Sequence, residues 1–352
     1  MSLRKWGLSP AIEREIRKSF PDFQIGRVLN VSRNQFAVIS AAGPGRCIVP
    51  GLISSAAPSD WPAVGDWVAF DSDQVIRGIL PRRSQLSRKV PGKQTIEQII
   101  AANVDYVFIV QGLDDNFNIR RLERYMAMVK ESRAEPIVLL TKIDLCAESQ
   151  ERAAEARAAV QAPVLLINGV VGEGLDAVRA LLADGKTGAL VGSSGAGKST
   201  IINALLGDQK QKTFAVRADS RGRHTTTSRQ MFFLEGGGAI IDNPGMRELQ
   251  LWTGTDAVSE VFPEIEELAL SCRFRDCAHE NEPGCAVHEA IESGQLPADR
   301  FESYKKLMRE AMHLRVREDQ AAMLKEKGKM KALHKIVRNV TATKRKYRDG
   351  FS

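Results

Sequence analysis

Residues 188–206 read GALVGSSGAGKSTIINALL, and the fold is decided there. An apolar strand at 189–191 runs into a loop of the form G-x-x-x-x-G-K-S, with Gly192, Gly197, Lys198 and Ser199 at the fixed positions. Ser193, Ser194, Gly195 and Ala196 fill the loop, and a helix opens at Lys198 and Thr200. Glycine lets such a backbone curl so that successive N–H groups converge on one phosphate chain. The helix N-terminus adds its positive dipole. Lys198 is expected at the β/γ-phosphates and Ser199 on Mg²⁺. A glycine-rich turn that merely caps a helix is the alternative, and the strand-before, helix-after context argues against it.

On both sides of this loop, apolar runs alternate with helical patterns. YVFIV (106–110) precedes a helix at 119–131, PIVLL (136–140) an Ala-rich helix at 148–160, and VLLI (164–167) a helix at 174–182. QMFFLE (230–235) and AIID (239–242) follow the loop helix. The alternation predicts a mainly parallel sheet covered on both faces.

Three stretches at strand ends then carry chemistry. TKID follows PIVLL: Asp144 can accept two hydrogen bonds from guanine, and the stem of Lys142 can lie over the base. Thr141 stands where GTPases more often carry Asn, a departure expected to weaken base affinity. A plain helix cap at Asp144 is the alternative. DNPG closes AIID, placing Asp242 for Mg²⁺ and the Gly245 amide for the γ-phosphate. RGRHTTTS (221–228) is a candidate switch loop, whose Thr226, or failing that Thr225, completes the metal shell. Met246 stands where many GTPases place a water-orienting Gln, so His224 is expected to orient or deprotonate the attacking water. A solvent-exposed loop histidine is the competing reading. The base-reading TKID precedes the phosphate loop by about fifty residues, the reverse of the usual order. A parallel sheet tolerates this, because all its strands deliver their C-terminal ends to one edge.

Further out, residues 24–80 hold five short apolar segments punctuated by turn residues, which predicts an OB-type barrel, with an SH3-like barrel as the alternative. Polar residues 83–100 read as a linker, and residues 1–20 as a charged helix or ordered tail. The net charge of +7 is concentrated at the end: residues 300–350 hold 16 Lys/Arg against 6 Asp/Glu, and the remainder is slightly acidic. A basic amphipathic tail of this kind suggests an acidic polymer, most simply nucleic acid. The three clustered cysteines and a histidine read C-x4-C-x-H-x5-C: Cys272, Cys277, His279 and Cys285, suited to one closed, structural Zn²⁺. The charged start and the lack of a long apolar run predict a cytoplasmic protein with no membrane segment.

These features together resemble the circularly permuted, ribosome-dependent GTPases of the RsgA (YjeQ) family. EQIIAANVDYVFIV, GSSGAGKSTIINAL, GRHTTT and DNPGMRE are the phrases that carry the resemblance, which covers nearly the whole chain. It implies GTP hydrolysis to GDP stimulated by the small (30S) ribosomal subunit, contact with its 16S rRNA, and action late in assembly of that particle. It also points to His224 as the hydrolytic residue and strengthens the zinc reading. The expected architecture is multidomain α/β: tail 1–20, barrel 21–82, linker 83–100, permuted GTPase domain 101–255, and helical zinc-binding domain 256–352. A monomer is expected. The rival readings are a P-loop ATPase or kinase, and an RNA-binding assembly chaperone in which GTP only times release.

Overall fold

The computed structural model describes residues 2–32, 34–50, 58–90, 96–207, 229–243, 253–280, 282–317, 319–320 and 323. The chain starts with a 3₁₀ turn (Leu3–Trp6) and helix α1 (Pro10–Ser19), whose first turn is capped by Ser9 accepting from the Ile12 N–H at 3.3 Å. Leu3, Trp6, Leu8, Ile12 and Ile16 are buried, so the charged opening is an ordered part of the core. The Trp6 ring lies 4.9 Å from Phe233 of the GTPase sheet.

A ring of five strands follows. β1 (Gln24–Ser32) pairs antiparallel with both β2 (Gln35–Ser40) and β4 (Trp67–Phe70). β2 continues to β3 (Gly43–Ile48) and β4 to β5 (Ile76–Ile79). A parallel bridge between Ile48 and Val75, with the Ile48 N–H donating to Gln74 at 2.9 Å, joins the two ends. The order β1-β2-β3-β5-β4 is that of a small, partly open five-stranded barrel. Val28, Phe36, Val38, Cys47, Val68, Phe70 and Ile76 fill it. β1 can serve two partners only by bending tightly. At Gly26 a Cβ would stand 2.2 Å from the Val38 side chain, so no larger residue fits.

Residues 83–100 are not the featureless linker their composition suggests. They contain β6 (Gln85–Lys89) and most of β7 (Glu97–Ala102), an antiparallel pair. Leu86, Ile99, Ile100, Ala101 and Ala102 are buried, while Gln85, Arg88, Lys89, Glu97 and Gln98 are half-buried. One-sided burial made the segment look like loop.

The larger sheet runs β10 (Val164–Ile167), β9 (Glu135–Thr141), β8 (Tyr106–Gly112), β11 (Thr187–Val191), β13 (Ala239–Asp242), β12 (Gln230–Phe233). The first five are parallel and β12 is antiparallel. One face packs Ile109, Val138, Leu140, Val191 and Ile241 with residues of α2 (Ile119–Ser132) and α3 (Ser149–Ala159). The other packs Phe108, Val110, Leu139, Leu190 and Ile240 against α4 (Leu175–Leu182) and α5 (Lys198–Leu206). Asn30 of β1 pairs with Gln230 of β12, so barrel and sheet are continuous.

Beyond residue 253 come α6 (Thr255–Ser259), α7 (Pro263–Ala269), the cysteine-bearing loop, α8 (Ala286–Glu292) and a helix over 298–317. Phe262, Ile265, Val287, Phe301 and Leu307 join this domain to the core that includes α2. Among the described residues no helix is long and apolar enough to cross a membrane.

Candidate nucleotide site and candidate zinc site

β11 is buried along its length, and its polar continuation turns out of the sheet at Gly192. A Cβ there would sit 2.2 Å from the Val110 carbonyl, and Gly192, Gly195 and Gly197 all hold positive φ (144°, 77° and 97°). The glycines of the motif are therefore required by the turn that lifts the loop over the strand end. Lys198 opens α5, and its ammonium is held at the loop mouth by the carbonyls of Gly192 (2.7 Å) and Ser193 (2.6 Å). Burial pushes its pKa down, opposed by the charge of Asp242. Asp242, half-buried at the end of the neighbouring β13, is thus near enough to act on Lys198 electrostatically. Ser199 and Thr200 are exposed in the first turn of α5.

Thr141 ends β9, two strands from the phosphate loop. It is buried, and its hydroxyl donates to the Ala196 carbonyl at 2.6 Å. The side chain read as base-contacting therefore ties the base side of the site to the phosphate loop. Lys142 takes a left-handed conformation (φ 60°) and its ammonium bonds Asp114 Oδ2 at 2.5 Å. That hydrogen bond holds the Asp114 carboxyl below its usual range. The ion pair fixes the Lys142 stem across the end of β8. Asp144 follows in a 3₁₀ turn (Ile143–Leu145) and is exposed.

Two contributors escaped sequence reading. Asp114 sits just past β8 in QGLDDN, and an acidic residue after a buried strand was its only signal. The loop NGVVGEG (168–174) leaves β10 beside β9, where Ile167 pairs with Thr141. Asn168 Oδ1 accepts from the Val170 N–H at 3.1 Å, and a Cβ on Gly169 would touch Thr200 at 3.2 Å. A glycine-rich run straight after an apolar strand could have marked it.

TKID, the phosphate loop and Asp242 thus reach one edge of one sheet, although TKID comes first in the chain. Ser199 and Asp242 bring a hydroxyl and a carboxylate, oxygen donors of the kind hard cations take, to that edge. His224, Thr225, Thr226, Gly245 and Met246 lie outside the described residues, as does the basic segment beyond 323.

The second cluster is built from soft ligands. The donor atoms of Cys272, Cys277, His279 and Cys285 all lie within 4.8 Å of one another. A tetrahedral Zn²⁺ with bonds of about 2.3 Å to sulfur and 2.0 Å to nitrogen sets ligand–ligand edges of about 3.5–3.8 Å. Here His279 Nδ1 is 3.6 Å from Cys272 Sγ and 3.4 Å from Cys285 Sγ, and those two sulfurs are 4.0 Å apart. Two thiols and a ring nitrogen near tetrahedral-edge spacing, with the Cys277 thiol within 4.8 Å of them, suit the metal. His288, the spare donor of the segment, instead hydrogen-bonds the His279 carbonyl at 2.9 Å and packs its ring on Phe301.

Comparison with known proteins adds three findings. Residues 79–252 match the model of the RsgA GTPase family. A Vibrio vulnificus protein named small ribosomal subunit biogenesis GTPase RsgA 2 is 39% identical over 99% of this chain and 98% of its own. An Opitutus terrae protein of the same RsgA name is 42% identical over 89% of this chain and 90% of its own. In fold, the chain is similar to the crystal structure of YjeQ from Thermotoga maritima, with a TM-score of 0.59, 24% identity, and coverage of 82% and 98% of the two chains. It is also similar to YloQ, described as a circularly permuted GTPase (TM-score 0.56, 23% identity, 83% and 96% covered).

Proposed function

Because the chain belongs to the RsgA family of small ribosomal subunit biogenesis GTPases, we propose that it hydrolyses GTP to GDP and phosphate in late maturation or checking of the small (30S) subunit. The observation that carries this reading is the convergence of TKID, the phosphate loop and Asp242 on one sheet edge.

In this reading the amides of residues 192–197 and the Lys198 ammonium bind the phosphates. Mg²⁺ bound with GTP neutralises developing phosphate charge, and Ser199, Asp242 and Thr226 are the residues to hold it. Asp144 accepts from guanine and excludes adenine, whose edge offers no matching donor pair. Thr141 keeps phosphate and base subsites in register through Ala196. His224 orients the attacking water, and the Gly245 amide binds the γ-phosphate. The Cys272–Cys285 cluster holds one Zn²⁺ that stands in for the core so short a module lacks. The barrel and the basic tail supply contacts to 16S rRNA, and the protein works as a cytoplasmic monomer.

The test is GTP hydrolysis by the full chain with and without small ribosomal subunits, and with ATP as competitor. Slow basal turnover, strong stimulation and indifference to ATP are expected. Rapid turnover that subunits do not change would overturn the ribosomal assignment, and ATP displacing GTP would overturn the base assignment. His224→Ala should lose the stimulated rate while retaining GTP binding.

A further inference from the structure

Three of the described arginines are each tied to several protein oxygens. Arg27 is buried and spends its guanidinium on the carbonyls of Gly65, Trp6 and Asn103. Arg82 takes both oxygens of Asp66 and the carbonyls of Ser59 and Trp61. Arg300 takes Glu123, Glu264 and the carbonyls of Ala159 and Val261. Each spends three or four of its five N–H donors on protein oxygens, as a guanidinium withdrawn from water must.

Arg88 and Arg229 are different. Both are half-buried, and both aim at one neutral atom: Gln98 Oε1 accepts from Arg88 Nε at 3.0 Å and from Arg229 Nη2 at 3.2 Å. Among the described residues neither meets a carboxylate. Burial and the neighbouring Arg88 charge lower the Arg229 pKa to about 10, so the two cations repel in place. Their placement is nonetheless firm. Arg88 and Gln98 are cross-strand partners in the β6–β7 pair, and the Arg229 carbonyl accepts from Asn30 Nδ2 of the barrel at 2.8 Å. Among the described residues these two held guanidiniums meet no anion, and Gln98 takes only one N–H from each.

We infer that Arg88 and Arg229, bridged by Gln98, form a phosphate-binding site for the RNA backbone where the β6–β7 pair, the barrel and β12 meet. The planar fork of arginine suits two phosphate oxygens at once. A phosphodiester is favoured over the phosphates of GTP by position. Arg229 precedes β12, whose Gln230 pairs with Asp242 of β13, and β12 itself lies two strand spacings, about 10 Å, from the phosphate-loop strand. The Arg229 guanidinium is turned to Gln98 of β7. The inference rests on the proposed small-subunit function and adds to it a contact distinct from the basic tail.

The test compares the full-length protein with R88Q, R229Q and R88Q/R229Q by equilibrium binding to purified small subunits at several salt concentrations. The double variant should bind about tenfold more weakly, with a log K against log salt slope shallower by about one unit. KM for GTP and basal turnover should not change. The thermal midpoint of each single variant should hold or rise, since one of two repelling cations is gone; a purely structural role predicts a fall. Unchanged affinity and slope, or lost affinity with an unchanged slope, would overturn the inference, as would a raised KM for GTP with normal subunit binding. If the unsubstituted protein fails to bind subunits, the functional reading falls by itself. The same variants titrated with a short single-stranded RNA then decide the site: a slope shallower by about 0.7 supports it and an unchanged one removes it.

Discussion

The barrel and the zinc-site domain are attached to the same GTPase sheet by opposite means. The barrel is joined through the backbone: Asn30 pairs with Gln230, its amide reaches the Arg229 carbonyl, and buried Arg27 gathers carbonyls from three segments. Among the described residues no ion pair links β1–β5 to the sheet. The C-terminal domain is joined through side chains along one helix, apolar packing of Phe262, Ile265 and Phe301 with the α2 core and charge pairs beside it. Arg120, Glu123, Arg124 and Lys130 of α2 pair with Asp299, Arg300, Glu310 and Glu260 respectively. At the centre Glu123 is fully buried and accepts from Arg120, Arg300 and, at 2.5 Å, the Ser303 hydroxyl. Strand pairing fixes a register, because a one-residue slip turns every side chain to the wrong face. Side-chain pairing adds a contact that a single substitution can weaken. The barrel is therefore held in one register by its backbone, and the C-terminal domain by side chains that substitution can remove one at a time.

Removing zinc is the most severe way to break the contrast. Binding free energy for a structural Zn²⁺ is about 10 kcal/mol or more and becomes folding free energy. Chelation should release one zinc per chain and abolish amide-exchange protection over 263–307. Protection of β1–β5 should be unaffected. Loss of both would show that the two attachments are one cooperative unit.

Glu123→Ala comes next. It strips an acceptor from Arg120, Arg300 and Ser303 while Asp299 and Glu264 still pair the two guanidiniums, so the lost charge-assisted hydrogen bonds are expected to cost about 1.5–3 kcal/mol. Denaturant unfolding should show that loss, with the C-terminal domain separating first. Raising salt on the unsubstituted protein should loosen the same interface far less, since the outer pairs on α2 are screened while the buried Glu123–Arg300 pair is not.

What the sequence could and could not disclose follows the same division. The phosphate loop, TKID and the cysteine cluster are local: their residues lie within a few positions of one another, and spacing together with the neighbouring strands and the family resemblance singled them out. All five barrel strands and all six sheet strands were visible as apolar runs bounded by turns. Glu123 was not, because RRLERYMAMV reads as an ordinary amphipathic helix and its partner is 177 residues away. Thr141 looked like a weakened base reader because its contact with Ala196 spans 55 residues. The β6–β7 pair looked like linker because half of its side chains are polar. Contacts made across long loops leave no periodicity to read.

The smallest effect should come from the barrel side. Asn30→Ala removes one side-chain hydrogen bond to the Arg229 carbonyl and leaves the backbone pairing with Gln230 intact, so about 1 kcal/mol is expected. Its value lies in where the loss falls. Arg229 is held at its carbonyl by Asn30 and at its guanidinium by Gln98, so freeing the first should lower stability slightly and blur the second. Subunit affinity in Asn30→Ala should then fall by a smaller factor than in R229Q, with the salt slope unchanged, since no cation has been removed. A loss as large as that of Glu123→Ala would mean that side chains, rather than strand pairing, hold the barrel, and the contrast between the two attachments would collapse.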